Sequence, residues 1–156
     1  MRPFIRALLA LAIHAALAAG LSADDASSPW VGTWTLNVAR SAYRPDPLPY
    51  KKGRRRIAPA DGGAVTIVDD LVRLRGGILH LEWTGKFDGV DHPVQGVEVA
   101  LTNGIRCRDD RTCEVTQKID GVVVATEQMA ISADGRTLTT TAASGVASAR
   151  LVYEKN

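Results

Sequence analysis

Ile78-Leu79-His80-Leu81-Glu82-Trp83-Thr84-Gly85-Lys86-Phe87 carries the clearest structural signal in the chain. Leu79, Leu81, Trp83 and Phe87 share one parity, and His80, Glu82, Thr84 and Lys86 share the other. An alternation with period two is that of a strand with one buried and one wet face. The stretch is bracketed by Gly76-Gly77 and Asp88-Gly89, and the same punctuation recurs at Asp61-Gly62, Asn103-Gly104, Asp120-Gly121 and Asp134-Gly135. Each of these dipeptides suits the positive φ of a tight turn. Between them lie Trp34-Leu36-Val38 in alternation with polar residues, the β-branched Ala64 to Val68, and the stretches Thr112 to Ile119, Val122 to Ile131, Thr137 to Ala142 and Ala149 to Tyr153. The expected fold is all-β: an antiparallel meander of eight to ten strands, closed as a barrel or packed as a sandwich.

No segment after Asp24 keeps a 3.6-residue apolar period over three turns. Arg44-Pro45-Asp46-Pro47-Leu48-Pro49 reads as a stiff, extended connection, with a short helical turn near Ala39 to Tyr43 before it. Parity breaks down in one place. An Asp120-Gly121 two-residue turn pairs Ile119 with Val122 and sends Val115, Gln117, Val124 and Thr126 to one face, yet Val123, Ala125, Met129 and Ile131 on the other face are also largely apolar. This pattern fits a bulge, a wall between a core and a partner, or a barrel with a partly polar lumen.

The N-terminus reads as an address. Arg2 and Arg6 precede an uncharged stretch, Ala7 to Ala23, that ends in small residues before Asp24-Asp25. That is the form of a secretory signal, with cleavage expected after Ala23 and with Ala18 and Gly20 as alternatives. The expected division is therefore residues 1–23 as signal peptide and 24–156 as a single domain, periplasmic or secreted. The full chain carries 19 Lys+Arg against 17 Asp+Glu. Removal of Arg2 and Arg6 leaves the two in balance, which gives no electrostatic case for binding nucleic acid. No apolar run after the signal is long enough to span a bilayer.

In an oxidising compartment the two cysteines acquire a role. Cys107 and Cys113 are symmetric about Asp110 in a strand-turn-strand pattern, so they face each other and suit a structural disulfide. A redox-active pair is the competing reading, but the spacing is five intervening residues rather than two.

Chemical motifs are sparse. His80, Glu82 and His92 are candidate metal ligands by type, but pairing through Asp88-Gly89 sets His92 opposite Gly85, so no metal and no other cofactor is expected. Asp69, Asp70, Asp109 and Asp110 read as solvated turn residues. No nucleophile elbow or phosphate-cradling glycine loop is present. Lys51-Lys52-Gly53-Arg54-Arg55-Arg56 reads first as a solvated edge strand. Alternation also allows one or two arginines to turn toward a lumen and meet a carboxylate.

Three stretches carry a resemblance. Gly32-Thr33-Trp34-Thr35-Leu36-Asn37 with Ser41, then Lys86-Phe87-Asp88-Gly89-Val90-Asp91-His92-Pro93-Val94, then Leu151-Val152-Tyr153-Glu154-Lys155, look like a family of secreted bacterial lipocalin-like proteins, a largely uncharacterised branch of the calycin-type barrels. The chain lacks the T-D-Y stretch of vertebrate lipocalins. The resemblance implies a lipocalin-like barrel in which Trp34 plugs the closed end and a cation near the last strand stacks over it, Arg150 first and Lys155 second. Trp30, just before the strand, is not expected to contribute to stability.

The function expected is binding of a small hydrophobic or amphipathic molecule, with Trp83, Phe87, Met129 and Tyr153 in the lumen. Aromatics make up 5% of the chain, which argues against a large aromatic-lined pocket. A hydrolase or isomerase site at the barrel mouth is the alternative, marked by a shifted carboxylate in a cleft. A protein-binding envelope module is the other.

Overall fold

The computed structural model describes residues 28–156, and the expected signal segment lies outside them. Eleven strands form one antiparallel sheet: β1 (Gly32–Leu36), β2 (Ala42–Arg44), β3 (Tyr50–Ala60), β4 (Ala64–Arg73), β5 (Ile78–Gly85), β6 (Asp88–Gln95), β7 (Leu101–Cys107), β8 (Thr112–Ile119), β9 (Val122–Ile131), β10 (Thr137–Ser144) and β11 (Ala147–Lys155). β3 to β11 run as a meander, and β1 bonds to both β3 and β11. The sheet thus closes as a ten-stranded barrel, one of the two arrangements the turn spacing allows and the one the resemblance implies, with β2 as an extra strand. Closure removes the unpaired edges that a sandwich would leave.

β1 and β2 lie end to end along β11, with Trp34 opposite Lys155 and Ala42 opposite Arg150. The break between them is one turn of 3₁₀ helix at Val38–Arg40. The expected helical turn is therefore slightly earlier than the sequence pattern placed it, and Tyr43 is in a strand. Asn37 caps the turn by accepting from the Arg40 backbone N–H, and Ser41 Oγ accepts from the Val152 N–H.

The hairpins β3–β4, β5–β6, β7–β8 and β9–β10 gather at one end of the barrel. Trp30, Trp34, Leu36, Ile57, Cys113, Ile131 and Leu138 are buried in the core. Trp34 is fully buried, donates its indole N–H to the Trp30 carbonyl at 3.0 Å, and lies under Lys155 Nζ, 4.9 Å from the ring centroid. The expectation for Arg150 is thereby corrected. Residues 150 and 155 have opposite parity, so Arg150 points outward and donates to the Arg40 carbonyl instead. Gly32 is required beside this cation. Its φ is +146°, and a Cβ there would sit 2.6 Å from Lys155 Cε.

Trp30 is also corrected. It is only 3% exposed and meets Phe87 edge to face at 5.9 Å. A residue outside any strand is buried because the chain entering β1 folds across the barrel end.

Cys107 and Cys113 are opposed in register across β7–β8 and are bridged. The dipeptide Asn103-Gly104, read as a turn, instead lies within β7. There the glycine serves close approach: a Cβ would fall 2.8 Å from the Gly89 carbonyl oxygen, where β6 is irregular.

Candidate functional site

Beyond the packed end, the lumen holds a cavity of about 220 Å³, walled by apolar side chains, among them Ile67, Leu71, Leu81, Trp83, Val94, Ile105, Val115, Met129 and Leu151. Its polar lining comprises Arg55, Asp69, Asn103, Gln117, Glu127, Thr140 and Tyr153, with Tyr50 and Glu82. The volume is below the ~300–1,000 Å³ of pockets that take drug-sized ligands.

Strand alternation builds the charged part. The Lys51 to Arg56 run lies in β3, between β1 and β4, so it is not an edge. Arg54 and Arg56 face solvent, and Arg55 turns inward. Directly opposite it in register is Asp69, with Asp70 opposite Arg54. Asp69-Asp70 is therefore mid-strand rather than in a turn, and only Asp70 is on the wet side, bonded to His80 Nδ1 at 2.7 Å. Inside, Arg55 Nε and Nη2 donate to Asp69 Oδ1 and Oδ2 at 2.7 and 2.9 Å, and both side chains are about nine-tenths buried. The fork-to-fork geometry is what lets a charge pair survive burial. Burial, the largest influence, would lower the guanidinium's pKa, but Asp69, Tyr153 and Glu127 together outweigh it and hold the pKa above its ordinary value. Arg55 Nη1 reaches Met129 Sδ at 3.7 Å, and its guanidinium carbon stands 5.3 Å from the Tyr153 ring centroid.

Glu127 reaches the lumen through a bulge. The β8–β9 ladder starts with Ile119 opposite Val122, as the turn dictates, and then slips between Lys118 and Gln117, leaving Val124 unpaired. The slip reverses parity. Val115 now faces Glu127 rather than sharing its side with Thr126, and Glu127, Met129 and Ile131 all point inward. Desolvation raises the Glu127 pKa, opposed in part by Arg55, with Thr140 offering a hydrogen bond. Burial likewise pushes the Tyr153 phenol up.

Two buried polar atoms in this lining have no partner: Asn103 Oδ1 and the Tyr153 hydroxyl. Leaving such groups unpaired is costly, and both border the cavity.

Of the four residues expected in the lumen, Trp83, Met129 and Tyr153 line this cavity. Phe87 does not. It stacks on Trp83 at 6.4 Å on the side toward Trp30. The sequence reading missed Asp69, Asn103, Glu127 and Thr140. A signal for the first existed: Arg54-Arg55-Arg56 and Asp69-Asp70 mirror each other across Asp61-Gly62. His92 lies edge-on to Trp83 at 5.9 Å, apart from His80. Among the described residues, no three His, Cys, Asp or Glu side chains converge as metal ligands would.

The other end of the barrel, where the tips of β4–β5, β6–β7, β8–β9 and β10–β11 gather, exposes Leu74, Ile78, Val99, Val122, Val123 and Val146. No helix among the described residues is long and apolar enough to cross a membrane.

The fold is a closed antiparallel barrel of calycin-like shape. Solved structures with that fold are similar to this chain. The fluorescent protein UnaG superposes with a TM-score of 0.54 at 16% identity, covering 81% of this chain and 97% of its own. A Schistosoma mansoni fatty acid binding protein in complex with arachidonic acid gives 0.55 at 16% identity, covering 83% and 97%. Secretory abundant heat soluble protein 4 from Ramazzottius varieornatus gives 0.57 at 14% identity, covering 83% and 96%. At such identities the likeness is one of fold. No family model and no curated protein matches the sequence.

Proposed function

We propose that this protein binds a small hydrophobic or amphipathic molecule inside the barrel and does so in the periplasm or outside the cell. One observation carries the reading: an apolar-walled cavity into which a buried hydroxyl and a buried amide oxygen project without partners. A filled core has no use for either group, whereas a ligand with one polar end satisfies them. That a protein of the same fold is solved with arachidonic acid supports the reading. The bridged Cys107–Cys113 pair and the signal-like Met1 to Ala23 support the compartment.

Native mass spectrometry of protein purified from its own host tests both parts. The expected result is an intact chain starting near Asp24 with a retained small-molecule mass. Leu101→Trp, which fills the cavity, is expected to lose that mass while remaining folded. A bare wild-type chain that also takes up no apolar probe rejects the binding function.

An isomerase or hydrolase at the same cavity has one observation in its favour: a carboxyl held up by burial, Glu127, shares the lumen with the unpartnered Tyr153 hydroxyl. Turnover abolished by both Glu127→Gln and Tyr153→Phe would support it.

A further inference from the structure

The charges around the cavity limit which polar end a ligand can carry. The lining holds one cation, Arg55, and two inward-facing carboxyl groups, Asp69 and Glu127. Arg55 is already engaged. Two of its nitrogens donate to both oxygens of Asp69, a third is directed at Met129 Sδ, and its face covers Tyr153. An incoming carboxylate would therefore meet no free cation and would give up its water beside Glu127. Asn103 Oδ1 lacks a donor, and the Tyr153 hydroxyl lacks any partner and is free to accept. Glu127 has Thr140 as its hydrogen-bond donor, with Arg55 acting on it through charge alone. An ammonium group offers three donors and no acceptor, the complement of that set.

We propose that the lumen selects an amphiphile whose polar end is a protonated primary amine, held among Glu127, Asn103 and Tyr153, and discriminates against carboxylates of the same chain length. The assignment rests on reading the lumen as a ligand site. Repulsion contributes as much as attraction: the Asp69 carboxylate occupies the cation that would otherwise admit an anion.

The test uses octan-1-amine, octan-1-ol and octanoate at neutral pH, titrated calorimetrically into the purified, disulfide-bonded protein, with Leu101→Trp as the filled-lumen control. The amine is expected to bind at least about tenfold more tightly than octanoate, with the alcohol between them, and to lose its binding in the control. Glu127→Gln is expected to remove that preference by weakening the amine about tenfold while leaving the alcohol unchanged. Asp69→Asn frees Arg55 and is expected to admit octanoate. Should that variant not fold, the Glu127→Gln comparison stands by itself. Octanoate binding as tightly as the amine, alcohol binding as tightly as the amine, or amine affinity unaffected by Glu127→Gln would each overturn the assignment while leaving the lumen as a binding site. If none of the three binds, the ligand-site reading itself fails.

Discussion

Among the described residues, Arg55 and Asp69 form the one buried charge pair whose two members are opposed in register and bonded at both ends. Removing either partner strands the other in a low-dielectric lumen. Arg55→Ala or Asp69→Ala is expected to cost ~3–5 kcal/mol in urea unfolding, whereas the double replacement Arg55→Met with Asp69→Leu should cost far less than the two added together. Additive losses would show that the pair is not coupled. Glu127 behaves in the opposite sense. Its carboxyl is raised in the folded state, so below the ordinary carboxylate range both folded and unfolded chains are protonated and nothing is lost. As pH climbs past that range the unfolded chain releases its proton first, and the native state loses stability until its own raised pKa is passed. Glu127→Gln removes this penalty. Its melting temperature should match wild type near pH 4 and exceed it near pH 8, as differential scanning calorimetry would show. A variant less stable at both pH values would mean that the carboxylate is held by favourable contacts.

At the level of elements, the β7–β8 hairpin is the simplest unit. Its cysteines are opposed in register, and the bridge closes a loop with a sequence separation of six. So short a loop restricts the unfolded chain little, and Cys107→Ala with Cys113→Ala is expected to cost about 2 kcal/mol. Thiol labelling of unfolded, unreduced protein should find no free cysteine, and two labelled sites would remove the bridge. The next hairpin shows how an element positions chemistry. Both the Asp120-Gly121 turn and the Ile119–Val122 pairing follow from turn rules, yet a single unpaired residue, Val124, reverses every side chain after it. Without that bulge the alternation set by the turn places Glu127 on the outer face.

Across the whole molecule, the barrel end is held by Trp34, Trp30 and Lys155 acting together. Trp34→Ala and Trp30→Ala are each expected to cost ~3–5 kcal/mol, since both rings are buried. Lys155→Met should cost roughly 0.5–2 kcal/mol through the lost cation–π contact, and a double-mutant cycle with Trp34 should be non-additive. Arg150→Ala should change little, because that side chain reaches only the Arg40 carbonyl on the surface. Coupling between Trp34 and Arg150 instead of Lys155 would contradict the register of β1 on β11.

Much of this architecture was legible in local pattern. Alternation in Ile78 to Phe87, glycine-containing turns and the symmetric cysteines all report interactions within a few residues, and they lead directly to strands, hairpins and the bridge. The inward side of Trp83 is readable for the same reason. Closure, the buried Trp30 and the polar half of the lumen were not legible, because each depends on residues far apart in sequence. β1 meets β11 across more than a hundred residues, and Asp69 reads as an ordinary acid until β3 sets Arg55 opposite it. Glu127 faces inward only because a bulge, which the sequence leaves as one of several options, falls at Val124. Local periodicity sets what each strand can present. Which residues share a lumen is fixed by register and closure, where a shift of one residue exchanges the inside of the barrel for the outside.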